Sequence, residues 1–370
     1  MRWFRSTALA KACLVAGGLV MALGAAEIAL RVRAVVTDPA RRPVSVVLRA
    51  ADVARDSDWS GCDTLRDLLQ VSRHPDVVYE LKPGLQCSFR GVEVRTNSHG
   101  MRDREYSTAK PEGIVRVAGL GDSVMFGWGV AEADSFLRVA ERRLRELRGS
   151  GPRIQVMNFA VPGYNTAMEV ANLEARVLDF QPDAVVIHLV NNDLELPRFM
   201  FDPVDPWSIK RFWLADLLRA RGGARQDHSG WIDPRGLASL DTEVANRMAS
   251  RYGHLAGEAA MRNGLSQLAA SARERSIPVV VMALQDHGLP WRIGVEAAAR
   301  NDFMLEVYGP RFSEYLVRNG PANTTEAWIG TFWLSSADPH PNVLGHRLMA
   351  DALVHALARC FSPEAPRLAG

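Results

Sequence analysis

Charge of one sign is the first thing this sequence lacks: 44 Lys and Arg stand against 42 Asp and Glu, a net charge of +2. With no basic stripe interleaved with aromatics, no nucleic-acid partner is expected. Cysteine is scarce as well. There are four, and no CxxC or Cys/His spacing suits zinc, so neither a metal nor a cofactor is expected. No internal repeat or low-complexity tract interrupts the chain, which sets aside repeat architectures. What is present is 47% apolar and 23% charged, the balance of a globular protein.

Long apolar runs are equally few, and the main one is N-terminal. "MRWFRSTALAK" carries Arg2, Arg5 and Lys11, and Ala12 to Ala26 then follow without a polar side chain. Those residues rise about 22 Å as a helix, the length of a signal-peptide core, with Ala22-Leu23-Gly24 offering small residues for cleavage. Yet the pattern resumes past Glu27, and Thr7 to Leu30 is long enough to span a bilayer. Residues 1–32 are therefore read as a signal anchor, with a signal peptide as the alternative. The basic flank stays inside, so the rest is expected outside the cytoplasm, tethered to membrane lipid or secreted. In that compartment Cys62 and Cys87 could pair; two buried thiols are the other reading.

Residues 33–112 lack an α/β rhythm. "DVVYELKPGLQCSFRGVEVRTNSHGMRD" reads as short extended pieces broken by turns, a β-rich lead-in. From 113 to 370 the rhythm is regular. "IVRVAGL", "IQVMNFA", "DAVVIHLV" and "IPVVVMAL" are strand-like, separated by helical patterns, and "GHRLMADALVHALARC" closes the chain. Strands apolar throughout, alternating with helices, predict an α/β domain with a parallel sheet covered on both faces. In such sheets the chemistry gathers at the carboxyl ends of the strands.

Those ends are polar here. The first stops at Gly121-Asp122-Ser123, the second at "NFAVPGYN", the third at "NND" and the fourth at "QDHG". A Gly-Asp-Ser turn is ordinary loop punctuation on its own. As a nucleophile, Ser123 would need a base, an orienting acid and oxyanion donors. The backbone N–H groups of Ser123 and Gly163 and the amide of Asn192 are candidate donors; a Pro-Gly turn and a capping asparagine are the plain readings. The base candidate is His340, between two prolines just before the last helix, with Asp338 as its orienting carboxylate.

At this point the chain resembles the SGNH (GDSL-type) hydrolases, in the subgroup with an N-terminal membrane segment. The blocks that carry the resemblance are "GDSVMFGWG", "NFAVPGYNT", "NND" and "DPHPNVLGH", with a "RTNSHGMRDREY"-type lead-in. It implies a flavodoxin-like three-layer α/β/α domain, Ser123 as nucleophile, His340 as base, and Ser123, Gly163 and Asn192 as oxyanion hole. Two departures stand out. Val190 occupies the usual glycine of the third block, and Asp338 lies one residue closer to the histidine than the family's acid, which would fall at Ala337.

Asp122, Asp193 and His287 are expected to shape the substrate pocket. Asp286-His287 is a second acid–histidine pair and a rival base. His346 reads as structural and His188 as a core histidine; a metal bound by Asp338, His340 and His346 lacks further ligands. Residues 199–254, with Trp207, Trp213 and Trp231, read as an insertion or lid. The function expected is an exported serine esterase acting on an acyl ester, acetyl or short acyl, and carbohydrate-linked in one version. The alternatives are an O-acyltransferase of envelope or exported polysaccharide, and a non-catalytic binding protein on the same fold.

Overall fold

The computed structural model describes residues 2–37, 62–148, 153–201, 242–285, 287–320 and 323–361, together with 207, 214, 231 and 232. The chain divides into two units, residues 1–45 with 201–232, and residues 46–200 with 233–370.

The first unit carries α1 (Arg2–Thr37). Its stretch Cys13–Arg33, 21 residues at mean hydropathy 2.0, is long and apolar enough to cross a membrane. At 1.5 Å per residue it spans about 30 Å. Leu14, Val15, Val20 and Met21 are uncovered by protein. Glu27, which interrupts the apolar run, is paired with Arg31 one turn on, at 2.8 Å.

The second unit opens with two hairpins. Strand β1 (Leu69–Val71) pairs with β2 (Tyr79–Leu81), and β3 (Gln86–Phe89) pairs antiparallel with β4 (Val92–Arg95). Arg90 and Gly91 join the second pair with φ of 53° and 77°, the paired positive values that match a hairpin's twist. Glycine adopts that backbone freely; arginine rarely does. Cys87 on β3 is disulfide-bonded to Cys62, so the paired reading of those two cysteines holds.

Beyond them lies the sheet. Strands β5 (Ile114–Leu120), β6 (Arg153–Asn158), β7 (Ala184–Leu189), β8 (Val279–Ala283) and β9 (Met304–Val307) run parallel in the order β9-β8-β7-β5-β6. Counted along the chain this is 2-1-3-4-5, the doubly wound flavodoxin-like order, whose switch point falls between β5 and β7. Every residue of β7 and β8 is buried, as strands covered on both faces must be.

The helices are α2 (Ser123–Phe126), α3 (Phe136–Arg148), α4 (Thr166–Ala175), α5 (Thr242–Tyr252), α6 (Gly257–Glu274), α7 (Leu289–Asn301), α8 (Gly309–Asn319), α9 (Thr325–Phe332) and α10 (Val343–Cys360). One sheet face, with Ala118, Val185, Ile187 and Val281, packs against Val170 and Leu173 of α4, Leu265 of α6 and Ile293 of α7. Each fully buried Val, Leu or Ile side chain among them contributes about 1.5–3 kcal/mol. On the other face His188 meets Phe136 of α3, whose ring stacks on His346 of α10. Both histidines are core residues. Burial pushes His188 down to about 4 and His346 to about 3, so each stays neutral and accepts or shares a hydrogen bond, with Tyr308 Oη and Phe136 N–H respectively.

The sequence reading found four strands; β9 is the fifth. Its "MLEV" is short and at the sheet edge, and its Glu306 carboxylate is held by Arg311 and His355, at 3.1 Å each. A polar residue in a four-residue edge strand leaves little periodicity to detect.

Candidate active site

Strand β5 delivers Ser123 to the carboxyl edge of the sheet. A Cβ on Gly121 would lie 2.6 Å from Met125 Cβ, so only glycine lets the chain fold back tightly into α2. Asp122 caps that helix, its Oδ1 accepting from Val124 N–H at 3.0 Å. Gly127, at φ 87°, ends it. Arg102, from the lead-in, is buried and fixes the turn at the end of this helix. Its guanidinium donates to the carbonyls of Phe126, Gly127 and Val130, at 3.1, 2.5 and 2.7 Å, and to Glu93 O at 3.2 Å. Burial lowers its pKa to about 10, which leaves it charged at neutral pH.

The histidine arrives from the other end of the chain. Strands β10 (Trp333–Ser335) and β11 (Asp338–Pro341) form a hairpin, so His340 sits on a strand rather than in a loop. Asn342 locks its base. The amide donates to Thr331 O and Trp333 O, and its oxygen accepts from Leu344 and Gly345 N–H at the start of α10. His340 Nε2 lies 2.8 Å from Ser123 Oγ, across 217 residues of sequence. His340 Nδ1 lies 2.5 Å from Asp338 Oδ1, which also accepts the His340 backbone N–H at 3.2 Å. A carboxylate accepting at Nδ1 fixes the tautomer that leaves Nε2 free to take the serine's proton. Partial burial works to raise the Asp338 pKa, but the bonds from the His340 side chain and backbone, with one from Trp128, hold it below its ordinary value. Ser123 Oγ also stands 3.0 Å from Asp122 Oδ2, so its single proton has two acceptors within reach.

Asp122, Ser123, Gly163, Asn192 and His340 line one cavity of about 320 Å³. Gly163 needs its φ of 81° and its missing side chain, because a Cβ would lie 2.3 Å from Arg198 Cβ. Val190 has φ −133° and ψ 169°, extended backbone that a β-branched residue adopts without strain, so the absent glycine costs this turn nothing.

Two expected pocket residues are elsewhere. Asp193 is turned inward: it is 2% exposed, and its Oδ2 accepts Val190 N–H at 2.8 Å. Burial raises it well above the carboxylate range, opposed by the Val190 N–H bond and aided by the Asp122 charge; burial, then Asp193 and Asp122, raise Glu169 of α4 in the same way. A polar residue in a tight 3₁₀ turn is drawn in to satisfy the backbone. His287 is exposed and does not line the cavity, and Asp286 lies outside the described residues. Trp213 does too, while Trp207 is exposed. No cluster of three metal-ligating side chains occurs among the described residues.

Sequence reasoning passed over Trp128, Arg90, Arg198 and Arg102. Trp128, Arg90 and Arg198 line the cavity, and the signal for Trp128 was its place between Gly127 and Gly129, both at positive φ.

A model of the GDSL-like lipase/acylhydrolase family matches residues 120–348. Solved structures of similar fold include TesA, 16% identical over 65% of this chain and 97% of that one at a TM-score of 0.37. A putative lipolytic protein of the G-D-S-L family from Desulfitobacterium hafniense DCB-2 is 12% identical over 65% and 99%, at 0.37. Axe2, an acetylxylan esterase from Geobacillus stearothermophilus, is 14% identical over 66% and 94%, at 0.38. No curated protein matches the chain. The chain belongs to the GDSL-like lipase/acylhydrolase family and is by that membership a carboxylic ester hydrolase.

Proposed function

We propose that this family member is an exported, membrane-tethered serine esterase in which Ser123 is the nucleophile, His340 the general base and Asp338 its orienting carboxylate. The observation that carries the reading is the unbroken chain Ser123 Oγ, His340 Nε2, His340 Nδ1, Asp338 Oδ1, at 2.8 and 2.5 Å. In the reaction, His340 takes the Ser123 proton as Oγ attacks the ester carbonyl. The Ser123 and Gly163 N–H groups and the Asn192 amide stabilise the oxyanion. The imidazolium then protonates the leaving alcohol, and water, deprotonated by His340, releases the acyl group from Ser123. Export rests on α1, whose Cys13–Arg33 stretch has the length of a bilayer span with basic residues before it. The parts are then an anchor at 1–32, the lead-in at 33–112 and the catalytic domain from 113.

The test uses full-length protein in detergent beside Ser123→Ala. Covalent labelling by an organophosphonate and release of p-nitrophenol from its acetate, both lost in the variant, support the esterase. Release that requires an added oligosaccharide, with mass gained by the sugar, would replace the hydrolase with an acyltransferase. No Ser123-dependent labelling would overturn the reading in favour of a non-catalytic protein.

A further inference from the structure

The β3–β4 hairpin is no part of the five-stranded sheet, yet its tip lies against the histidine's surroundings. Trp128 follows the nucleophile turn and is 9% exposed. One face of its ring stacks on His340, with centroids 5.0 Å apart and planes 19° apart. Its Nε1–H donates to Asp338 Oδ2 at 3.2 Å, the carboxylate oxygen that His340 does not use. Phe89 of β3 meets it edge-on at 5.0 Å, and the Arg90 guanidinium lies 5.2 Å from its centroid. A single indole therefore touches both members of the Asp338–His340 pair.

We propose that Trp128 is a positioning residue for Asp338 and His340, seated by Phe89 and Arg90 of the lead-in hairpin, so that the lead-in is an integral part of the active site. This rests on the esterase reading above. Asp338 with only the His340 contacts could rotate about its side-chain torsions; a donor on its second oxygen removes that freedom. Stacking does the same for the imidazole, whose swing away from Ser123 would break the 2.8 Å contact. The seat is itself tied down. Cys87, two residues before Phe89, is bonded to Cys62, and Arg102 joins β4 to the Trp128 turn through Glu93 O and Val130 O. Arg90 holds a positive φ that arginine rarely adopts, and that turn sets its guanidinium over the indole.

Four variants of the full chain test this: Trp128→Phe, which keeps a ring and removes the donor, Trp128→Ala, Arg90→Ala and Arg90→Lys. Turnover of p-nitrophenyl acetate is divided by the end-point number of organophosphonate-labelled serines, so that misfolded protein drops out. Trp128→Phe is expected to lower kcat about tenfold, the effect of losing one hydrogen bond to a charged group, with KM within twofold. Trp128→Ala falls further, Arg90→Ala falls a few-fold, and Arg90→Lys recovers most of that loss. A kcat within twofold in Trp128→Phe, or a change in KM alone, would overturn the proposal while leaving the esterase reading intact. Should the parent show no Ser123-dependent turnover, the esterase reading fails instead. The low-field NMR resonance of the proton shared by His340 Nδ1 and Asp338 then decides for Trp128. It must move in Trp128→Phe, and an unchanged resonance sinks the proposal.

Discussion

Gly129 packs against Leu334 so closely that a Cβ on the glycine would lie 2.3 Å from Leu334 Cδ1. Gly129 belongs to the turn that follows Ser123, and Leu334 to the hairpin that carries His340. The segment that carries Ser123 and the hairpin that carries His340 therefore meet at this contact. Gly129→Ala adds a methyl at the contact and strains a φ of 71°. It is expected to cost about 1–3 kcal/mol of stability and at least tenfold in kcat. Parent-like turnover at parent-like stability would show that the turn and hairpin adjust independently.

Asp338 accepts three hydrogen bonds, from the His340 ring, the His340 backbone and Trp128. Asp338→Asn preserves the shape but puts an amide where His340 Nδ1–H must donate, favouring the wrong tautomer. Turnover should fall roughly a hundredfold or more. A loss of only a few-fold would remove Asp338 from the orienting role.

Glu169 is 1% exposed, and neither carboxylate oxygen has a hydrogen-bond partner among the described residues. Burial, and then Asp193 nearby, raise its pKa well above the ordinary 4.5. The folded protein therefore holds a proton that the unfolded chain releases as pH rises past 4.5. Above 4.5 and below its raised folded value the native state binds more protons, so this group's contribution is full at low pH and is lost as pH rises. Glu169→Gln removes that loss. Its unfolding midpoint relative to the parent should climb as pH rises above 4.5, and a difference independent of pH would show Glu169 ionised at no cost.

The disulfide links residues 25 apart in sequence. Closing a loop of that size stabilises by about 3 kcal/mol. Replacing both Cys62 and Cys87 by alanine should lower the urea midpoint accordingly. An unchanged midpoint would mean that the surrounding hairpins are held by packing alone.

Much of the site was legible because its signals are local. Gly121-Asp122-Ser123, Val161-Pro162-Gly163 and Asn191-Asn192-Asp193 each follow a mostly buried strand, and strand ends on one sheet edge converge. Asp193 defeated the same logic. A polar residue at a strand end can face the cavity or cap its own turn, and the backbone N–H of Val190 drew it inward. His287 shows the limit again: it follows a strand, but its loop leaves it exposed.

The sequence by itself determined the alternation of strands and helices, and with it the layered sheet and the residues at its carboxyl edge. Side-chain periodicity and turn chemistry act over a few residues, so they can be read along the chain. Only the tertiary structure decided which distant groups meet. Ser123 and His340 are 217 residues apart, and Trp128 and Asp338 are 210 apart. Around those contacts Gly129 lies against Leu334, Asn342 ties the base of a hairpin, and Arg102 reaches from the lead-in to the turn after Ser123. Contacts of that kind arise from packing across the whole fold, and no local pattern encodes them.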